Sequence, residues 1–260
     1  MKRCLALLLL ISNLCFAQKW DAEIMLGASG YNGDLTDRVF SRYTIGSAAS
    51  FNLKYNLNYI ISLRGGITVA GISGNDKYNK QADLKSRNLN FRTNILEANL
   101  CIEFNLLEPE YFIAYPYLFA GIGVFHFNPY TYNKTSHRIY LQPLGTEGQG
   151  LAAYPDRKLY SLTQVCVPFG GGIKMNLSRK FDLIYELGGR LLFTDYLDDV
   201  SKTYVNPQTL ISNSRPEAAE LASRHIINPI PSDGDIRGNP KVKDWYYITG
   251  LKLLMRLGRE

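Results

Sequence analysis

Residues 95–106 read ILEANLCIEFNL, and their facing decides the fold. In an extended chain Leu96, Ala98, Leu100, Ile102 and Phe104 share one face, and Glu97, Asn99, Cys101 and Glu103 share the other. Successive side chains of a strand point to opposite sides, so the stretch predicts a strand with one apolar and one polar face. A strand of this kind needs an apolar medium on one side and partners for its charges on the other.

The same period recurs on both sides of it. Trp20, Ala22, Ile24, Leu26 and Ala28 oppose Asp21, Glu23 and Ser29. Tyr43, Ile45, Ala49, Phe51 and Leu53 oppose Arg42, Thr44, Ser50, Asn52 and Lys54, and Tyr59, Ile61, Leu63, Ile67 and Val69 oppose Ser62, Arg64, Gly66 and Thr68. Downstream, Val165, Val167, Phe169 and Ile173 oppose Gln164, Cys166 and Lys174. Phe181, Leu183, Tyr185, Leu187, Leu191 and Phe193 oppose Asp182, Glu186 and Arg190, and Trp245, Tyr247, Leu251, Leu253 and Leu257 oppose Lys252 and Arg256. The segment YPYLFAGIGVFHF at 115–127 is apolar on both faces, which leaves its facing open. These segments are longer than ordinary soluble strands and suffice to cross a bilayer at a tilt.

Connection lengths supply a second signal. Joints of about eleven, nearly twenty, about thirty and about fifty residues alternate with short ones around 56–58, 106–114 and 176–180. The prediction is an all-β chain forming an eight-stranded antiparallel up-and-down transmembrane β-barrel with long extracellular loops. An even strand count sets both termini at the periplasmic side. In the last loop Pro216 precedes EAAELASRHI, which predicts one short helix.

A soluble barrel has the same alternation with its apolar side inward, and bulk separates the two cases. A narrow lumen has no room for Trp20, Phe51, Phe104, Phe169, Phe181 and Phe193 with their aliphatic neighbours. It accepts Glu23, Arg64, Glu97, Glu103, Glu186 and Arg190 if they pair, because an unpaired buried ion costs several kcal/mol. We therefore expect lipid outside and a charge network filling the interior. Trp20, Tyr43, Tyr55, Tyr59, Tyr115, Tyr117, Trp245 and Tyr246 lie near strand ends and are expected at the headgroup levels.

The chain opens MKRCLALLLLISNLCFAQ, with basic Lys2 and Arg3, an apolar run and small Ala17. This layout predicts a signal peptide over residues 1–17, cleaved after Ala17, and an outer-membrane barrel domain over 18–260. Removing Lys2 and Arg3 lowers the formal charge from +6 to +4. The remaining charges are scattered without a basic stripe, which argues against nucleic acid as a partner.

Candidate chemistry is sparse. His126, His137 and His225 have no metal-ligand spacing. His126 near a loop serine could imitate the Ser/His pair of rim lipid hydrolases, but no spacing singles out a serine. Cys101 and Cys166 face the lumen on strands separated by one other, about 9.5 Å apart, beyond the ~7 Å reach of a disulfide. Two free buried thiols are expected. Asp195, Asp198 and Asp199 in TDYLDDV, with Glu147, hold enough oxygen for calcium, and salt bridges and turn capping by loop arginines account for the same residues. Gly145, Gly148 and Gly150 in LGTEGQG suit a tight loop but do not join a strand to a helix as a phosphate loop does. No catalytic residue, metal or cofactor is therefore assigned.

Several stretches together resemble a family. LGASGYNGDL at 26–35, ILEANLCIEFNL at 95–106, YPYLFAGIGVFHFNP at 115–129, LQPLGTEGQG at 141–150, VPFGGGIKMNL at 167–177, TDYLDDVS at 194–201 and RGNPKVKDWY at 237–246 are similar to the small outer-membrane β-barrels of Bacteroidetes that include the type IX secretion protein PorG. The likeness runs in order over the mature chain. LQPLGTEGQG and TDYLDDVS are its most specific parts, and its loop-motif residues are Gly33, Asp34, Pro143, Gly145, Thr146, Glu147, Gly148, Gln149, Thr194, Asp195, Tyr196, Asp198 and Asp199. The resemblance implies a non-enzymatic barrel in outer-membrane lipid that anchors a periplasmic ring of secretion and gliding proteins or lipoproteins. The tail MRLGRE departs from the terminal aromatic residue common in such barrels, and a basic tail suits periplasmic contacts. A surface-binding barrel, adhesin or receptor, using the long outer loops is the alternative.

Overall fold

The computed structural model describes residues 19–36, 38–226 and 230–257. The signal peptide and its cleavage site after Ala17 lie outside the described residues, as does the end of the basic tail. Eight long antiparallel strands form the wall: β1 (Trp20–Asn32), β2 (Gly46–Asn56), β3 (Ile61–Asn75), β4 (Asn90–Asn105), β5 (Ala114–His126), β8 (Thr163–Asn176), β9 (Phe181–Leu192) and β10 (Trp245–Arg256). Each pairs with its neighbours in sequence, and β10 returns to β1 through the register Asp21↔Arg256 to Asn32↔Trp245. No open edge is left along the wall, and the ladder is interrupted only locally, as between Ala120↔Phe169 and Gly123↔Cys166, where Pro168 has no N–H to donate. A small hairpin, β6 (Tyr130–Tyr132) with β7 (Arg138–Tyr140), continues the outer end of β4 through Arg92↔Tyr130.

The expected facing holds along the strands. Trp20, Phe51, Phe104, Phe169, Phe181 and Phe193 stand 37–63% exposed on the outer wall, while Glu23, Arg64, Glu97, Glu103, Glu186 and Arg190 are buried inside. Leaving one such large side chain in water forfeits about 1.5–3 kcal/mol. A continuous outer band of them requires lipid, and the molecule is a transmembrane barrel. One detail differs: β2 begins at Gly46, so Arg42 belongs to the preceding loop, where it is exposed against the Tyr43 ring.

The structure settles β5. Ala114 faces outward, so Tyr115, Tyr117, Phe119 and Phe125 point into the lumen and Leu118, Ile122 and Val124 into lipid. Tyr115, Tyr117 and, on β10, Tyr246 are therefore lumen residues and not the headgroup residues expected of them. The reason is parity: outward Trp245 forces Tyr246 inward. Inward glycines make space for these rings. A Cβ at Gly188 would stand 2.6 Å from Phe119 Cζ, and one at Gly172 would stand 2.8 Å from Tyr117 Cε1.

The short joints share a sequence ending that alternation alone does not mark. Lys54-Tyr55-Asn56-Leu57, Glu103-Phe104-Asn105-Leu106 and Lys174-Met175-Asn176-Leu177 close β2, β4 and β8. In each, the first and third residues turn inward and the second faces lipid. The asparagine amide crosses to the adjoining turn or strand start: Asn56 Nδ2 to Lys19 O at 3.2 Å, Asn105 Nδ2 to Tyr59 O at 2.8 Å and Asn176 Nδ2 to Phe112 O at 3.3 Å.

The long connections fold into a cap. It contains α1 (Ala82–Arg87), α2 (Pro207–Ser212) and α3 (Pro216–Ala222). The last of these is the helix expected after Arg215; α2 is additional and starts where the Asn206 side chain accepts from Gln208 N at 2.9 Å. Among the described residues no helix is long and apolar enough to cross a membrane, and the strands do the crossing.

Candidate functional site

The lumen holds two layers. Near the short turns, Arg64 Nη1 lies 2.6 Å from Glu103 Oε1 and 2.7 Å from Glu186 Oε2. Lys252 reaches Glu186 at 2.5 Å and Glu23 at 3.5 Å; Lys174 reaches Glu103 at 2.7 Å; Lys54 reaches Asp21 at 3.3 Å and Glu23 at 3.5 Å. The four cations face the four carboxylates, so the layer is neutral as a whole. Tyr117 adds its hydroxyl to Glu186. Higher up, Arg190 and Glu97 pair at 3.0 Å, and Glu97 also accepts from Tyr246 at 2.5 Å and Asn99 at 2.7 Å. The six residues expected in one network thus fall into two groups, and Asp21, Lys54, Lys174 and Lys252 complete the lower one.

The upper lumen differs from the expectation that charge fills the interior. Met25, Tyr31, Phe91, Ile95, Phe125, Phe127 and Ile248 form an apolar core there, continuous with Leu197 and Val200 of the cap. Cys101 and Cys166 are buried free thiols. His126 is exposed at the outer rim with Nδ1 3.0 Å from Thr163 Oγ1.

Above this core the family-motif residues converge. Glu147 is fully buried; its Oε1 accepts from Arg237 Nη1 at 3.0 Å and Ser201 N at 3.0 Å, and its Oε2 from the Tyr196 hydroxyl at 3.1 Å. Asp199 accepts from Thr146 Oγ1 at 2.5 Å and from the Tyr160 hydroxyl at 2.8 Å, while its carbonyl takes Arg237 Nη1 at 2.6 Å. Asp198 takes the Tyr31 hydroxyl, and Asp244 takes Leu197 N at 2.9 Å. Asp195 accepts from Ser201 Oγ at 2.8 Å, and Thr194 Oγ1 takes Tyr196 N at 3.2 Å. Gln149 Oε1 accepts Glu147 N at 2.9 Å, holding the loop whose Pro143 lies in the 3-10 turn Gln142–Leu144 and whose Gly145, Gly148 and Gly150 take φ of +62°, +78° and +75°. Gly33 is fixed by close approach, since a Cβ there would lie 1.9 Å from Asp244 Oδ1.

Arg87 and Arg237 sew the four long loops together. Arg87 binds Asp76 Oδ2 through Nε at 2.7 Å, Asp34 O through Nη2 at 2.7 Å and Arg237 O through Nη1 at 2.5 Å. Asp34 in turn accepts Asn239 N at 3.0 Å. Asp34, Glu147, Asp195, Asp198 and Asp199 are motif residues singled out from the sequence, whereas Asp76, Asp244, Arg87 and Arg237 are not. The arginine reading of Asp195, Asp198, Asp199 and Glu147 describes Glu147 and Asp199, and hydroxyl and backbone donors hold the other two. Among the described residues no group of His, Cys, Asp or Glu side chains is arranged to hold a metal ion.

Burial raises the proton affinity of these acids. Asp195 is pushed up to about 7 by burial and by nearby Asp34. Asp199 is pushed up to about 6 by burial, with Arg237 opposing the shift. Burial and neighbouring carboxylates hold Asp198 and Asp244 well above the usual range. The cap is a set of buried acids tied by hydrogen bonds to donors from other loops, an arrangement able to hold the loops in place.

A family model described as a domain of unknown function (DUF6089) matches residues 2–211. The chain belongs to the DUF6089 family. The DUF6089 match takes in every strand but β10 and all the loop-motif residues up to Asp199, whereas Arg237 and Asp244 lie beyond it. No curated protein matches this DUF6089 chain. Among solved structures it is similar to neisserial surface protein A, at 8% identity and TM-score 0.44, covering 92% of this chain and 96% of that one. OprG of Pseudomonas aeruginosa gives 10% identity and TM-score 0.41, covering 92% and 97%. The attachment invasion locus protein of Yersinia pestis gives 9% identity and TM-score 0.39, covering 91% and 99%.

Proposed function

We propose that this DUF6089 protein is a non-enzymatic outer-membrane barrel that anchors a periplasmic assembly, in the role that its resemblance to PorG-like barrels implies for type IX secretion and gliding. The observation that carries the reading is the filled barrel. Paired ions occupy the lower lumen, apolar side chains the upper one, and an interlocked cap the outer end, so side chains fill the interior as expected for eight strands. A rigid plugged cylinder in lipid is suited to holding something at its surface. The outer-membrane placement is supported by the lipid-facing band together with the exported N-terminus expected from the sequence.

Deleting the gene and scoring export of cargo proteins tests the role. Loss of extracellular cargo, with tagged protein recovering periplasmic ring subunits, is the expected result. Normal export with no ring subunit recovered sinks it. One observation favours a second reading, a surface receptor: a cavity of ≈ 680 Å³ opens among the outer loops beside Asp34, Tyr204, His225 and Asp235. Deleting residues 203–236 would then abolish ligand binding while leaving export intact.

A further inference from the structure

The short-turn mouth of the barrel is a vestibule of ≈ 740 Å³, within the size range of ligand sites, with Lys54 and Lys174 at its floor. Its charges are unevenly spent. Asp21 is held by Lys54 at 3.3 Å and Asn56 at 2.8 Å, and Asp182 by Arg256 at 2.6 Å. Arg256 also donates to Ser178 O at 3.0 Å and Arg179 O at 3.1 Å, which clamps the β8–β9 turn against the end of β10. That clamp sets Lys19, Arg256 and Arg179 along one arc of the mouth, because β1, β10 and β9 are neighbours in the wall. Among the described residues neither Lys19 nor Arg179 has a carboxylate partner, and Lys19 rests over the Tyr55 ring at 5.8 Å. Glu110 lies on the β4–β5 turn, separated from Lys19 by the β2–β3 turn on one side of the ring and from Arg256 by the β8–β9 turn on the other.

We infer that this mouth receives an acidic segment of a periplasmic protein, its carboxylates meeting Lys19 and Arg179. The inference rests on the anchoring reading above and gives it a docking site. A lipid headgroup is the poorer occupant, since headgroups ring the outer wall, where Leu57, Leu106 and Leu177 are exposed, whereas Lys54, Lys174 and Arg179 line the vestibule and Lys19, over the Tyr55 ring, stands at its rim. Charges at such a rim act through complementarity and are screened by salt.

The test uses the full-length barrel in zwitterionic nanodiscs and a labelled glutamate-rich peptide, with the same peptide carrying glutamine as control. The acidic peptide is expected to bind and to weaken as salt rises. Lys19→Glu with Arg179→Glu should reduce its affinity about tenfold or more. Lys158→Glu on an outer loop should leave it unchanged. Equal binding of the glutamine peptide, indifference to the double substitution, or displacement by phosphatidylglycerol vesicles overturns the inference. A parallel pull-down keeps the two readings apart. If wild-type barrel recovers no periplasmic protein, the anchoring role fails; if wild type and double variant recover the same proteins equally, the anchor stands and the mouth is not its docking site.

Discussion

Arg64 is the residue on which the lower lumen turns. Its guanidinium bridges Glu103 and Glu186 and stacks over the Phe119 ring at 4.6 Å, with almost no exposure. Replacing it by methionine keeps an unbranched, apolar stem but removes the guanidinium, which leaves two carboxylates with a surplus of negative charge. Breaking a buried pair from one side costs about 3–5 kcal/mol. Equilibrium urea unfolding of Arg64→Met in bilayers should show a loss of that order, and a loss under about 1 kcal/mol would rule out this account of the network. Cys101 and Cys166 offer a milder check at the same scale. Both are sealed inside the wall, so a maleimide should label them only after denaturation. Labelling of the folded barrel would contradict the facing of β4 and β8.

At the scale of elements, the cap is held by a few long-range ties. Arg237 joins Glu147, the Asp199 carbonyl and Ala222 O, which belong to different stretches of loop. Arg237→Ala should leave the barrel formed and expose loop residues 141–162 and 193–226 to protease, measured on intact cells or proteoliposomes. Unchanged resistance would remove Arg237 from its proposed role. The acids of the cap add a pH dependence. Their folded pKa values lie above the ~3.9 of an unfolded aspartate, at about 7 for Asp195 and about 6 for Asp199. The protonated forms therefore favour the closed cap. That stabilisation is complete below about pH 4 and is lost as pH rises through 6 to 7. Amide exchange in the cap should be slower, after correction for intrinsic rates, at pH 5 than at pH 8, and the opposite order would show that the acids are charged when closed.

At the scale of the whole molecule, closure and filling have one consequence each. A sheet without edges resists detergent, so unheated protein should run ahead of boiled protein on a gel. A lumen filled by ion pairs and aromatic rings conducts no ions, as eight strands leave an interior that side chains can fill. Planar-bilayer recordings should show no steady channel steps, and a regular conductance would disprove the plugged interior.

The sequence alone determined the strand count, the two faces of every strand but β5 and the alternation of long and short joints. A strand's period of two is local, and the bulk of the apolar faces is too great for a narrow lumen, so lipid is their medium. Where local pattern is silent, the tertiary structure decided. YPYLFAGIGVFHF is apolar both ways, and only the registers Glu97↔Phe125 and Phe125↔Gln164 turn Phe125 inward. The Asn-Leu ending of three strands was readable, yet its meaning depends on turns that the asparagines reach across space. The acidic motifs of the cap were visible as motifs, but Arg87 and Arg237 sit far from them in sequence, and no periodicity links Arg237 to Glu147. Packing brings such charges together because a buried carboxylate must find a donor, and the chain supplies that donor only once the barrel has gathered its loops at one end.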